Sequence, residues 1–225
     1  MLDNIKAILF DLDGTLIDSA PDLGAAANKM RTDRGLEPLA QSLYRPMAGA
    51  GARGMISVAF GLSPDHAEFE ELKEEFLANY QLGLAENTAI FEGVPDLIAQ
   101  IREHGLKWGV VTNKWARFTI PLTQGMALFD TAGTIISGDT TSHAKPHPAP
   151  LLEAARQLQV APEDCIYVGD DERDIVAGRS AGMPTVAATY GYLGALGHAV
   201  AWNADFMLAR PHDLLKVLRL RSLIQ

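Results

Sequence analysis

Two carboxylates, Asp11 and Asp13, follow directly on the run Ile5-Lys6-Ala7-Ile8-Leu9-Phe10 and precede Gly14 and Thr15. Like charges so close repel unless a positive group lies between them, so the pair predicts a divalent cation held by oxygen ligands. A carboxylate first out of a strand can also attack phosphorus, splitting one hard displacement into two through an aspartyl-phosphate. Asp11 is the candidate nucleophile. Asp13 is then placed to protonate the leaving alkoxide and later to take a proton from water, a role worth typically ~10²–10⁴-fold. Asp and Gly both favour turns, so these residues alone also fit a plain loop.

Three later segments extend the chemistry. Thr112-Asn113-Lys114 follows an apolar stretch ending at Val111. Gly138-Asp139 and then Lys145-Pro146 follow one ending at Ser137, and Gly169-Asp170-Asp171-Glu172-Arg173-Asp174 follows one ending at Val168. A phosphoryl group in transfer carries negative charge on its oxygens, so most catalysis on it is positioning and neutralisation. Thr112 and the Asn113 amide can bond phosphate oxygens, and Lys145 supplies a point cation that offsets repulsion between a carboxylate and its anionic target. Mg²⁺ takes one or two carboxylates plus water and phosphate. Asp11 and Asp170 meet that demand, with the Asp13 backbone carbonyl as a further ligand. Singly, each residue has a plainer role. Thr112-Asn113 fits a helix N-cap, Lys145 a solvated side chain, Asp170 and Asp174 first-turn acids, and Arg53 a stem covering apolar surface. Their shared position, each behind a strand, favours one site. His143 and His147 flank Lys145 without a zinc-ligand spacing.

The elements that must position these groups follow from periodicity. A buried strand is predicted over 4–10. Helices follow over 18–34, with Pro21 near its start, and over 68–82, with Phe69, Leu72, Phe76 and Tyr80 on one stripe. Between them lies the Gly-rich stretch 48–54. Residues from about 20 to 87 thus form an all-helical block. Strands and helices then alternate: helix 93–103, strand 106–111, a weaker helix 118–128 broken by Pro121 and Gly125, strand 133–137, helix 149–158, strand 165–168, helix 171–181 and strand 184–188. A short strand over 204–208 and a closing amphipathic helix over 213–223 complete the reading. Alternation of this kind means an α/β fold with a parallel sheet and helices on both faces. Ligands of such sheets bind outside the strands' carboxyl ends, where the segments above would meet. The early helical block becomes an insertion, a lid over that edge. The expected division is a core of 1–17 and 88–225 with a cap of 18–87.

The chain has 225 residues, 48% hydrophobic and 21% charged, as in ordinary globular proteins. Its net charge of −9 excludes nucleic acid as an expected partner, and an anionic substrate must be met by a local cationic site. The single cysteine, Cys165, excludes an internal disulfide framework and reads as a buried thiol. No run approaches the ~20 apolar residues needed to span a bilayer, and the N-terminal apolar segment is too short for a signal peptide. A cytoplasmic enzyme, monomeric or homodimeric, is the expectation.

Taken as a set, Phe10-Asp11-Leu12-Asp13-Gly14-Thr15-Leu16, Val111-Thr112-Asn113-Lys114, Lys145-Pro146 and Gly169-Asp170-x-x-x-Asp174 resemble the motifs of the haloacid dehalogenase superfamily. The resemblance implies a Rossmann-like core with an inserted α-helical cap of the C1 type, and Mg²⁺-dependent chemistry through an aspartyl intermediate. It puts the nucleophile on Asp11, the acid/base on Asp13, and phosphate binding on Thr112, Asn113 and Lys145. Metal ligands fall on Asp11, Asp13 and Asp170, and Asp174 lies behind them or binds through water. Asp171 departs from the small polar residue common in relatives and is placed with Asp174. A dehalogenase is disfavoured, since carbon–halogen cleavage needs neither a leaving-group acid at Asp13 nor a metal.

Within the superfamily the chain is similar to the phosphoglycolate phosphatase branch. Gly51-Ala52-Arg53-Gly54-Met55, Trp108-Gly109-Val110-Val111-Thr112-Asn113-Lys114 with Arg117-Phe118, Val168-Gly169-Asp170-Asp171 with Arg173-Asp174-Ile175, Tyr190-Gly191-Tyr192 and Trp202-Asn203-Ala204-Asp205 further resemble the N-acetylmuramic acid 6-phosphate phosphatases of cell-wall recycling. The implied substrate is a small phosphorylated metabolite, N-acetylmuramic acid 6-phosphate ahead of 2-phosphoglycolate. A phosphosugar mutase or a non-catalytic phosphate-binding protein stands behind both. Either favoured substrate carries a second anion for the cap to meet, through Arg53, the N–H groups of the stretch around Gly51, or Arg45.

Overall fold

In the computed structural model, residues 4–193 and 199–220 are described. The chain runs β1 (Ala7–Phe10), β2 (Ile17–Asp18), α1 (Ala20–Asp33), α2 (Gln41–Tyr44), α3 (Gly51–Phe60), α4 (Phe69–Leu82), β3 (Ala89–Ile90), α5 (Val94–Glu103), β4 (Lys107–Val111) and α6 (Ala116–Gln124). It continues through β5 (Ile135–Ile136), α7 (Ala149–Leu158), β6 (Cys165–Gly169), α8 (Glu172–Ser180), β7 (Thr185–Ala188), β8 (Phe206–Leu208) and α9 (Leu214–Val217).

β1 is buried throughout, and its side chains divide by the two-residue period of a strand. Ile8 and Phe10 join Leu97, Ile98 and Ile101 of α5 on one face. Ala7 and Leu9 join Leu151, Ala154 and Leu158 of α7 and Ala177 of α8 on the other. A sheet covered on both faces is the parallel kind, and the strand order β5-β4-β1-β6-β7-β8 has every neighbouring pair parallel. Phe10 is level with Val110 on one side and Val168 on the other, so Asp11, Thr112 and Asp170 leave the sheet at the same edge. Chain connections move outward from β1 through β4 to β5, then cross back to β6. The switch point falls beside β1.

Helices α1 to α4 pack a separate apolar cluster that includes Met30, Tyr44, Met55, Phe76 and Tyr80. The chain enters and leaves this block through an antiparallel ribbon in which Ile17 and Asp18 pair with Ile90 and Ala89. The sequence reading held no strand here, because two residues are too short to show a period. The buried Asp22 carboxylate secures the passage. It accepts hydrogen bonds from the Asn87 backbone (2.8 Å) and side chain (3.0 Å) and from the Thr88 backbone (2.9 Å) and hydroxyl (2.6 Å).

Three element expectations are corrected. The strand expected over 133–137 shrinks to Ile135–Ile136, because β5 is an edge strand paired only with β4. The helix expected over 118–128 begins at Ala116, carries Pro121 internally and stops at Gln124. The Thr119 hydroxyl bonds back to the Lys114 carbonyl just before this helix, and the Thr123 hydroxyl to the Thr119 carbonyl within it. The closing helix expected over 213–223 is only the turn α9, and residues 221–223 lie outside the described residues.

Candidate active site

Asp11 enters the site from a backbone fixed to the sheet, its N–H donating to the Val168 carbonyl at 2.8 Å. Lys145, 3% exposed, arrives from the loop after β5 and donates to Asp11 Oδ1 (2.8 Å), Asp174 Oδ1 (2.7 Å), the Tyr167 hydroxyl (2.8 Å) and the Val111 carbonyl (3.0 Å). The Asn113 side chain grips the Lys145 backbone from both sides, accepting its N–H (2.9 Å) and donating to its carbonyl (2.8 Å). The Asn113 amide, expected to bond phosphate, thus also positions Lys145. Thr112 is buried, and its hydroxyl accepts the Lys114 N–H at 3.1 Å.

Asp170 follows β6 and is held by the Tyr192 N–H (2.7 Å) and the Thr15 hydroxyl (3.3 Å). Gly14, at φ +84°, crosses directly over its carboxylate, and a Cβ there would collide with the Asp170 oxygens. Asp171 caps α8 in a reciprocal box with Asp174, and it also pairs with Arg173 at 2.7 Å. Arg173 in turn donates to the Gly49 carbonyl at 2.7 Å, joining the core to the helical block. Asp13 Oδ1 accepts from Lys114 Nζ at 2.8 Å and from the Ser19 hydroxyl. The Asp13 side chain is therefore turned from the acidic cluster, whose third carboxylate is Asp174, and the backbone carbonyl is what Asp13 has to offer an ion there.

That cluster is Asp11, Asp170 and Asp174, all buried, with one carboxylate oxygen from each within 4.8 Å of the others. Burial pushes Asp11 up to about 7 despite the opposing Lys145 ammonium. Burial, with Asp11 and Asp174 nearby, holds Asp170 well above the usual carboxylate range. Desolvation would lower the Lys145 ammonium, but Asp11 and Asp174 override it and raise it. Lys114 is raised in the same way, mainly by Asp13. Three acids facing one ammonium leave excess negative charge, which is what a hard cation at oxygen ligands relieves. Asp174 already accepts from Lys145, Tyr167 and the Asp171 N–H. The ligand capacity that remains is mostly on Asp11 and Asp170, and the residues fit a divalent ion.

Above this edge lies a cavity of about 260 Å³ between the sheet's carboxyl ends and the helical block. Its floor includes Asp11, Asp13, Lys145 and Asp170, and its walls include Phe76, Tyr80, Trp115 and Phe118. Gly51 lines it, at φ +58°. Two expected cap residues do not. Arg53 is exposed on α3, because the cavity meets the turn before it and the helix carries its side chain outward. Arg45 pairs with Asp18 at 2.5 Å and lies 5.2 Å over the Tyr192 ring, bracing the ribbon. Conversely, Lys114, Arg173, Tyr192 and Tyr80 shape the site without having been assigned roles from sequence. Lys114 was within reach of the strand-end argument, being adjacent to Thr112-Asn113.

A family model for haloacid dehalogenase-like hydrolases matches residues 8–188. The chain belongs to this family. It is 42% identical over 214 residues to an N-acetylmuramic acid 6-phosphate phosphatase of Pseudomonas aeruginosa, covering 95% of each chain. It is 42% identical over 209 residues to a phosphoglycolate phosphatase of Xanthomonas campestris pv. campestris, covering 93% of this chain and 94% of that one. Among solved structures, a predicted phosphoglycolate phosphatase from Haemophilus somnus superposes with a TM-score of 0.82 at 28% identity, over 95% of this chain and 98% of that chain. With these relatives the chain is a phosphoric monoester hydrolase. Among the described residues, no helix is long and apolar enough to cross a membrane.

Proposed function

We propose that this enzyme is a Mg²⁺-dependent phosphomonoesterase whose substrate is N-acetylmuramic acid 6-phosphate. The aromatic walls of the cavity carry the choice. Phe76, Tyr80, Trp115 and Phe118 line one chamber, Trp115 with 44% of its surface exposed and the other three as edges of the buried helical cluster, which suits a pyranose ring with its acetamido methyl. 2-Phosphoglycolate has an anion at each end and no apolar face to place there. Both substrate names occur among the relatives, so the chamber is the deciding feature.

In this reading, residues 18–87 act as a cap over a core of 1–17 and 88–225. Lys145 holds Asp11 through Oδ1, leaving Oδ2 to attack phosphorus in line with the departing sugar oxygen. Asp13 delivers a proton to that oxygen, and Lys114 and Ser19 keep its other carboxylate oxygen fixed meanwhile. Asp13 then takes a proton from the water that attacks the aspartyl-phosphate, returning Asp11. Thr112 and the backbone N–H of Asn113 bind the phosphoryl oxygens, and the Asn113 side chain keeps Lys145 in position. Asp11 and Asp170 would hold Mg²⁺ with Asp174 behind them. The ion, when bound, neutralises charge on the phosphoryl group. The walls of α4 and the turn at Gly49–Gly51 exclude bulk water from the phosphoenzyme. Cytoplasmic work goes with this reading, and Cys165 is a buried free thiol.

Phosphate release from N-acetylmuramic acid 6-phosphate, N-acetylglucosamine 6-phosphate and 2-phosphoglycolate, with Mg²⁺ and with EDTA, tests it. The expected result is Mg²⁺-dependent turnover with the highest kcat/KM on the muramic acid ester. A higher value on 2-phosphoglycolate overturns the substrate, and full activity in EDTA overturns the metal.

A further inference from the structure

The cavity is lined by four cations, Lys73, Lys114, Lys145 and Arg173. Three are committed within the protein: Lys114 to Asp13, Lys145 to Asp11 and Asp174, and Arg173 to Asp171 and the Gly49 carbonyl. Lys73 differs. Its carboxylate partner is Glu70, one turn away on the same helix at 2.9 Å and 75% exposed, while Lys73 itself is 29% exposed. Exposed pairs of this kind are weak and readily exchanged.

Lys73, Phe76, Leu77 and Tyr80 all line the cavity, and their spacing of three, four and seven residues puts them on one stripe of α4. The stripe has a direction. At its Tyr80 end, Lys114 Nζ lies 4.9 Å from the ring centroid while bonding Asp13, so this end borders the reacting groups. The Tyr80 hydroxyl is buried at that end beside the Lys114 ammonium, its polar neighbour. Seven residues of α-helix at 1.5 Å each place Lys73 about 10 Å further along the chamber.

We propose that Lys73 determines specificity by binding a carboxylate that the substrate carries on the far side of its sugar ring from the reacting phosphorus. The inference rests on the phosphomonoesterase reading and deepens it. In 2-phosphoglycolate three bonds of about 1.5 Å separate phosphorus from the carboxylate carbon, so that molecule cannot span the stripe. A hexosamine 6-phosphate with an ether-linked carboxylate across the ring has the required length. Its apolar ring face then lies along Phe76 and Leu77, between the two charged ends.

The test is kcat/KM for wild type, Lys73→Gln and Lys73→Arg on N-acetylmuramic acid 6-phosphate and on N-acetylglucosamine 6-phosphate, the same sugar without the lactyl carboxylate. Wild type should prefer the first. Lys73→Gln should lose about 10- to 30-fold on it and less than about threefold on the second, and Lys73→Arg should keep most of the preference. Equal losses on both substrates, or none on the first, overturn the assignment. A wild type that cleaves both sugars without preference also overturns it while leaving the phosphatase reading intact. Failure to release phosphate from either sugar or from p-nitrophenyl phosphate removes the phosphatase reading, and Lys73's role with it.

Discussion

Replacing Asp11 by Asn should abolish turnover and, in metal-free protein, raise stability. Burial pushes the Asp11 carboxyl from 3.8 to about 7, with Lys145 pulling it only part of the way back. In the unfolded chain the group returns to the ordinary value. Its folded pKa is raised, so its contribution to stability is fully present below about pH 4 and is lost as pH rises through about 7. At about pH 8 both states are ionised and the folded state bears the whole shift. Three units at 1.36 kcal/mol each make this about 4 kcal/mol. Asparagine has no charge to desolvate, and Lys145 keeps Asp174 at 2.7 Å. Thermal unfolding in EDTA should therefore give Asp11→Asn a Tm about 10 °C above wild type at pH 8. The gap should narrow toward parity near pH 4. Mg²⁺ at pH 8 should raise the wild type and close the gap from the other side. A gap constant across pH, or a less stable variant at pH 8, would refute the claim that Asp11 is strained by burial and relieved by a cation.

Asp13→Asn should slow hydrolysis of an alkyl phosphate by ~10²–10⁴-fold and of p-nitrophenyl phosphate much less, since nitrophenolate leaves without a proton; equal effects would remove Asp13 as the acid. Asp22→Ala strips four hydrogen bonds from the return segment at Asn87 and Thr88, and urea unfolding should show a loss of about 2–4 kcal/mol. A loss below about 0.5 kcal/mol would mean the ribbon alone holds the passage. Gly14→Ala forces a Cβ against the Asp170 carboxylate at a φ of +84°. It should cost at least about 1 kcal/mol and weaken Mg²⁺ activation, read as a raised Mg²⁺ concentration for half-maximal rate.

The core of the site was legible because a doubly covered parallel strand writes itself as an apolar run, and the next polar residue must then lie at the ligand edge. Asp11, Thr112 and Asp170 satisfied that rule, and the register of β1 with β4 and β6 brings them to the same edge within one residue of one another. Lys145 was reachable only through a two-residue edge strand, and its placement depends on Asn113, whose amide the sequence could equally assign to phosphate. Helical phase was the harder matter. Arg53 and Lys73 are both cations on short amphipathic helices, and spacing alone does not say which face meets a cavity rather than solvent. Phe76 and Tyr80 read as core, and they are core: both are at most 2% exposed and pack together. They also line the chamber, so an apolar stripe cannot by itself separate packing from recognition. What separates them is the company the stripe keeps. Of its four members, Lys73 carries a loosely held ammonium that lines the chamber, and a face serving packing alone would have no need to place a cation there.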